Sequence, residues 1–340
     1  MAALLPAVLA AQETPVFRSD TSLALVRFHV VRKEFYATDL KAADILLLED
    51  GGPRQFTLFQ VGQGAARTVP VDFLLLFDTS GSVMGSGLLD PLVFKQNLLD
   101  GLAQVRIAVY GFNTRLECYS GPTRDYAQLQ AAFQALGDRR KGVQASRSSP
   151  LQLPPKRMAL YGATWIYEAI GTAAKEAAAA PANATRMMLV FSDGFPTTTS
   201  APEDASVMCR EVGIPVYPVV LGHQRLVDQA RNIRRNAANQ PTPQAPPVRA
   251  LEKIQDQETQ IEDFARLGQL TGGRSFDPPE ITLDIMRQIL SEMMTQVRTE
   301  YVVGFTPEVS RGAPRRHRLE IRLRSKDLGR VLGGTRVVAH

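Results

Sequence analysis

Only four histidines and two cysteines occur in the 340 residues. His29, His223, His317 and His340 are scattered, with none of the short spacings that tetrahedral zinc sites use, which argues against a zinc centre. Cys118 and Cys209 permit one bridge in an oxidising compartment and fit two buried thiols equally well. After the N-terminus, no run approaches the ~18 consecutive apolar residues needed to cross a membrane. Gly-x-Ser-x-Gly elbows and Gly-x-x-x-x-Gly-Lys loops are also missing, so the common serine-hydrolase and P-loop signatures do not apply.

Charge of either sign is not scarce. Lys and Arg total 39 against 34 for Asp and Glu, a net of +5. Much of the excess lies in Arg139, Arg140, Lys141, Arg147, Lys156 and Arg157, and again in Arg315, Arg316, Arg318, Arg322 and Arg324. Neither cluster is interleaved with aromatic residues or set in a nucleic-acid-binding module, so both read as solvated faces or loops and no nucleic-acid partner is expected. A hydrophobic fraction of 44% and a charged fraction of 21% are those of a globular chain. The length suits two ordinary domains, or one large domain with a satellite.

Ala2 to Ala11 read AALLPAVLAA, an apolar run ending in small residues. It resembles the core and cleavage site of a secretory signal and predicts export to the periplasm, envelope or exterior, although the usual basic start is missing. Beyond it, Ala24, Val26, Phe28 and Val30 alternate with Arg27 and His29, the pattern of a half-buried strand. Ile45 to Leu48 and Phe56 to Val61 flank Asp50-Gly51-Gly52-Pro53 and predict a hairpin.

From Val69 the period changes. Phe73 to Phe77, Val105 to Phe112, Met187 to Phe191 and Val216 to Leu221 are short continuous apolar runs, the mark of strands buried on both faces. Helical stretches lie between and after them, at Leu88 to Leu102, Tyr126 to Leu136, Thr164 to Ala179, Pro202 to Val212, Gln257 to Leu270 and Ile281 to Val297. This alternation predicts an α/β fold, a doubly wound and mainly parallel sheet with helices on both faces. Leu319, Ile321 and Leu323 alternate with charged residues in the tail, which predicts that the two chain ends pair into a small β unit.

The strand Phe73 to Phe77 runs straight into Asp78-Thr79-Ser80-Gly81-Ser82. In an open parallel sheet, ligands sit beyond the carboxyl ends of the strands. A carboxylate and two hydroxyls on alternate residues of one tight loop can converge on a point, and an all-oxygen set suits a hard cation. Thr164, opening a helix, and Asp193, ending another buried strand, should reach the same edge. Taken alone, the loop can also be read as a metal-free turn, because Asp, Ser and Gly are common turn residues.

Asp78, Ser80, Ser82, Thr164 and Asp193 together resemble the metal-ion-dependent adhesion site of von Willebrand factor A (VWA) domains. Asp44 to Gly51, Thr271-Gly272-Gly273-Arg274 and Tyr301 to Pro307 further resemble the bacterial "VWFA-related" proteins common in Acidobacteria, a likeness covering nearly the whole chain. The resemblance implies a Rossmann-like VWA fold holding Mg²⁺, or Ca²⁺ or Mn²⁺, which takes an Asp or Glu from a partner protein. It thus implies an adhesion or scaffold module and no enzyme. Trp165 departs from the family's usual small residue; it either offers a partner an apolar contact or packs under the loop. The alternative within the family is an intracellular subunit of an ATPase or chelatase-type assembly. The expected organisation is a leader at 1–14, a β segment at 15–67, the VWA domain at 68–299 with mobile loops at 137–157 and 231–250, and a second β segment at 300–340.

Overall fold

The computed structural model describes residues 24–33, 35–61, 69–80, 88–148, 163–180, 184–239, 248–307 and 316–339, the side chains of 140–148 and 338–339 excepted. The leader-like run lies outside them. In chain order the strands are β1 (Ala24–Arg32), β2 (Phe35–Tyr36), β3 (Ile45–Glu49), β4 (Gly52–Arg54), β5 (Leu58–Val61), β6 (Val71–Asp78), β7 (Val105–Phe112), β8 (Leu116–Thr123), β9 (Thr185–Ser192), β10 (Val216–Val220), β11 (Tyr301–Phe305), β12 (Arg316–Leu323), β13 (Arg330–Gly333) and β14 (Thr335–Ala339). The helices are α1 (Pro91–Phe94, widening over Lys95–Leu99), α2 (Tyr126–Ser148), α3 (Ile166–Ala179), α4 (Pro202–Val212), α5 (His223–Ala238), α6 (Val248–Thr271) and α7 (Leu283–Thr299).

The α/β sheet has the order β10-β9-β6-β7-β8, parallel throughout except for the antiparallel edge strand β8. Every residue of β6, β9 and β10 is buried, which is why those stretches read as unbroken apolar runs. Alternation along β6 divides the core. Phe73, Leu75 and Phe77 face Phe94, Phe133, Met286 and Leu290 from α1, α2 and α7. Leu74 and Leu76 face Ile166, Ile170, Cys209 and Phe264 from α3, α4 and α6. The expected doubly wound sheet is therefore present, with its two helical layers.

The chain ends pair as the tail pattern predicted. β1 lies antiparallel between β11 and β13, and β11 also pairs with β5. A second small sheet has the order β14-β12-β3-β4. Phe28, Ile45, Leu47, Tyr301, Leu319 and Ile321 fill the core of this β unit. Phe28 and Tyr301 stack at 5.3 Å, and the Tyr301 hydroxyl donates to the Ala37 carbonyl at 2.9 Å. Because α7 runs directly into β11, the helix packed on the α/β sheet is covalently continuous with the β unit.

Three expectations need correction. The strand mate of β3 across the Asp50-Gly51 turn is β4; Leu58–Val61 belongs to the other small sheet, opposite β11. The segments expected as mobile loops are partly helical: 137–148 extend α2, 231–238 complete α5 and 248–250 open α6. Arg, Lys, Gln and Ala there are good helix formers, and the prolines begin only at Pro150 and Pro241. Residues 149–157 and 240–247 of those segments lie outside the described ones. Strand β8 and helix α5 carried too thin an apolar pattern to be read, since β8 is half exposed and α5 buries only Leu226, Ala230 and Ala237. Cys118 is an exposed free thiol and Cys209 a buried one.

The Thr271 to Arg274 turn shows why its glycines are needed. Thr271 Oγ1 accepts from the Val216 N–H at 2.9 Å, and a methyl group on Gly273 would overlap the Val216 carbonyl. We expect Gly273→Ala to cost at least about 2 kcal/mol, because the clash is with backbone and not with a flexible side chain. Urea denaturation checks this, and an unchanged midpoint would contradict the close approach.

Candidate metal centre

The parallel register sets the site. Pairing of Phe77 with Phe191 brings Asp78 beside Ser192, since both strands end at the same edge. The Ser192 hydroxyl donates to Asp78 Oδ2 at 2.7 Å. The other carboxylate oxygen accepts from the Ser80 N–H at 2.7 Å, an Asx-type turn that bends the loop away from the strand. Thr79 anchors the turn from its far side: its N–H and hydroxyl both donate to the Phe112 carbonyl, at 2.8 and 3.0 Å. Asp78, Thr79 and Ser80 are all buried.

Asp193 follows β9 and is buried as well. Its Oδ1 accepts from the Phe195 N–H at 3.3 Å. Between them, Gly194 takes a φ of +81°, a left-handed conformation that side chains resist. Thr164 is placed by two contacts of its loop. The Trp165 N–H donates to the Asn113 carbonyl at 2.7 Å, tying the start of α3 to the end of β7. The Thr197 hydroxyl accepts from the Thr164 N–H at 2.8 Å, and the Thr197 N–H donates to the Thr164 carbonyl at 2.9 Å. This clasp uses only main-chain groups of Thr164, so its hydroxyl is not consumed by it.

Asp78, Ser80, Thr164 and Asp193 thus lie at the carboxyl-end edge of one sheet, and Ser82 lies outside the described residues. Trp165 is 40% exposed and so does not pack under the loop. Ser192, Thr197 and Asn113 also hold the site without being obvious ligands, and the sequence marks them only weakly. Ser192 had a faint signal, a hydroxyl on the last residue of a buried strand directly before Asp193.

Burial pushes the Asp78 carboxyl up to about 6, and the neighbouring Asp193 charge pushes it the same way, against the hydrogen bonds from Ser80 and Ser192. Two carboxylates share a sealed space, and a bound cation would relieve both effects. Among the described residues, no group of three or more His, Cys, Asp or Glu side chains is gathered as a metal cage. A cation at this edge would rest on two carboxylates supplemented by hydroxyls, a set that fits a hard divalent ion and leaves its charge incompletely neutralised.

No family model and no curated protein matches the chain. Solved structures similar to it include the conserved hypothetical protein BatB from Bacteroides thetaiotaomicron, at 16% identity and TM-score 0.40, covering 66% of this chain and 99% of that one. The ArnB paralog VWA2 from Sulfolobus acidocaldarius is similar at 10% identity and TM-score 0.38, covering 94% of this chain and 75% of that one. Proximal thread matrix protein 1 from the mussel byssus, with a zinc-occupied MIDAS motif, is similar at 13% identity and TM-score 0.38, covering 70% of this chain and 47% of that one. The likeness is one of fold. The α/β body has the strand order β10-β9-β6-β7-β8, with the Asp78 loop at the carboxyl ends of its parallel strands.

The raised Asp78 carboxyl makes a signed prediction for cation-free protein. Its folded value lies above the unfolded one, so its stabilising contribution is complete below about pH 4 and is lost as pH rises through about 6. Asp78→Asn removes that loss. In EDTA, the melting temperature of the variant minus that of the wild type should increase between pH 4 and pH 7; a flat difference would show that the carboxylate is not strained.

Proposed function

We propose that the chain is a metal-dependent protein-binding module of adhesion or scaffold type. In this reading Asp78, Ser80, Ser82, Thr164 and Asp193 hold Mg²⁺, or Ca²⁺ or Mn²⁺ in its place. The observation that carries it is the burial of Asp78 beside Asp193 at a sheet edge, with hydroxyl side chains on the adjoining loops. Few carboxylates leave such an ion electrophilic, and an Asp or Glu of a partner protein can replace one of its waters. The exposed Trp165 indole beside Thr164 would give that partner an apolar contact.

In this reading the same residues favour binding over catalysis. Asp78 is committed to Ser80 and Ser192, and Ser80, two residues on, stands where a phosphotransferase would have a second acid. We also propose that the protein is exported, on the leader-like Ala2 to Ala11 run. Among the described residues, no helix is long and apolar enough to cross a membrane.

The wild type should be stabilised by millimolar Mg²⁺, by about 2.7 kcal/mol once the ion exceeds its Kd a hundredfold. Asp78→Ala should abolish the stabilisation while retaining the circular dichroism spectrum. The reading is wrong if Mg²⁺, Ca²⁺ and Mn²⁺ at millimolar concentrations all fail to shift the melting temperature. For the partner, capture from envelope extract should require the cation and fail with both EDTA and Asp78→Ala. Trp165→Ala should weaken capture without altering the Mg²⁺ response.

A further inference from the structure

At the opposite end of the α/β sheet, where the parallel strands begin, the β unit meets the body across a layer of arginines. Asp72, near the start of β6, is gripped by Arg106 through Nε–Oδ1 at 2.7 Å and Nη2–Oδ2 at 3.0 Å, with Arg186 Nε 3.8 Å from Oδ2. Glu300, fully buried, is bound by Arg27, whose guanidinium also donates to the Arg186 carbonyl. Two carboxylates therefore already answer three arginines. A fourth, Arg336 on β14, makes no ion pair among the described residues. Its Nη1 donates to the Leu25 carbonyl at 2.6 Å, while its Nε is sealed from solvent with no hydrogen-bond partner among the described residues. Burial and the nearby Arg186 charge pull its pKa down to about 10, so it remains a cation at neutral pH.

That Nε is packed away from any occupant as well as from solvent, so what Arg336 offers a neighbouring anion is its positive charge. Beside it lies a cavity lined by Arg27, Arg210, Tyr217, Thr271, Glu300 and Arg336, with room of about 50 Å³ for the centres of water-sized molecules. One water takes about 10–15 Å³ on that measure, so the space holds about four waters or one small polyatomic ion. Arg210, in the last turn of α4, is exposed and stands at the mouth. The partial negative charge of that helix end is about half a unit, too small to cancel two cations.

We propose that this cavity binds a free tetrahedral oxyanion of the phosphate or sulfate class, held by Arg336 from within and Arg210 from the mouth. The part-open space of about 50 Å³ limits the size, the excess of arginines over carboxylates among the described residues sets the sign, and guanidinium forks favour an ion with several acceptor oxygens. The site lies at the far end of the sheet from the Asp78 loop, and its occupant ties β14 to α4 across the junction.

Thermal unfolding of the full chain in EDTA tests this, with sodium phosphate and sodium sulfate titrated separately and sodium chloride and acetate as controls at matched ionic strength. Wild type should show a saturable rise in melting temperature with phosphate, sulfate or both, but with neither control. Which oxyanion saturates at lower concentration identifies the preferred ion. Arg210→Gln and Arg336→Gln should each raise the half-saturating concentration about tenfold, the loss of one charge-assisted hydrogen bond. An equal rise in chloride or acetate, a rise that never saturates, or variants that titrate like wild type would overturn the proposal. Should Arg336→Gln fail to fold, Arg210→Gln decides, since its exposed side chain can be lost without opening the core. Its Mg²⁺ response should equal that of wild type, which separates this site from the metal edge.

Discussion

Asp78 receives a hydrogen bond on each carboxylate oxygen, from the Ser80 N–H and the Ser192 hydroxyl, yet burial still pushes its carboxyl up to about 6. Two good donors normally hold a carboxylate well below its ordinary value. Here burial, and after it the Asp193 charge, outweighs them. The surrounding loops serve this one strained group. Thr79 locks the turn to β7, the Thr197 clasp holds the start of α3, and Gly194 makes the bend that keeps Asp193 at the same edge.

The strain is tolerated because the sheet beneath is rigid. Phe77 and Phe191, one residue before Asp78 and before Ser192, stack at 4.7 Å with an interplanar angle of 5°. Phe94 and Phe133 close around them from α1 and α2. Packed aromatic rings of this kind allow little sliding between strands. The spacing of the two strand ends, and with it the separation of the carboxylates, is therefore set by the core and not by the loops.

The two ends of the sheet have opposite electrical characters. At the carboxyl ends two carboxylates are gathered; at the amino ends, among the described residues, Arg27, Arg106, Arg186 and Arg336 meet Asp72 and Glu300. The β unit sits on the basic end, joined to the body through α7 and β11. A single sheet therefore separates two charged regions with a wholly apolar core between them.

Strands buried on both faces were legible in the sequence as unbroken apolar runs, because burial on two sides leaves no place for alternation. That Asp78, Ser80, Thr164 and Asp193 would come to one edge of the sheet was legible for a related reason: each stands where a strand stops or a helix starts. The edge strand β8, the helical ends of α2 and α5 and the pairing of β3 with β4 were not, since half-exposed elements carry weak periodicity and turn residues do not say which strand will lie opposite. Only the tertiary structure put Ser192 against Asp78, because that depends on the register of two strands 114 positions apart. It alone left Arg336 without a carboxylate among the described residues as well, because the charge balance of a junction between distant chain ends is a property of packing that no local pattern records.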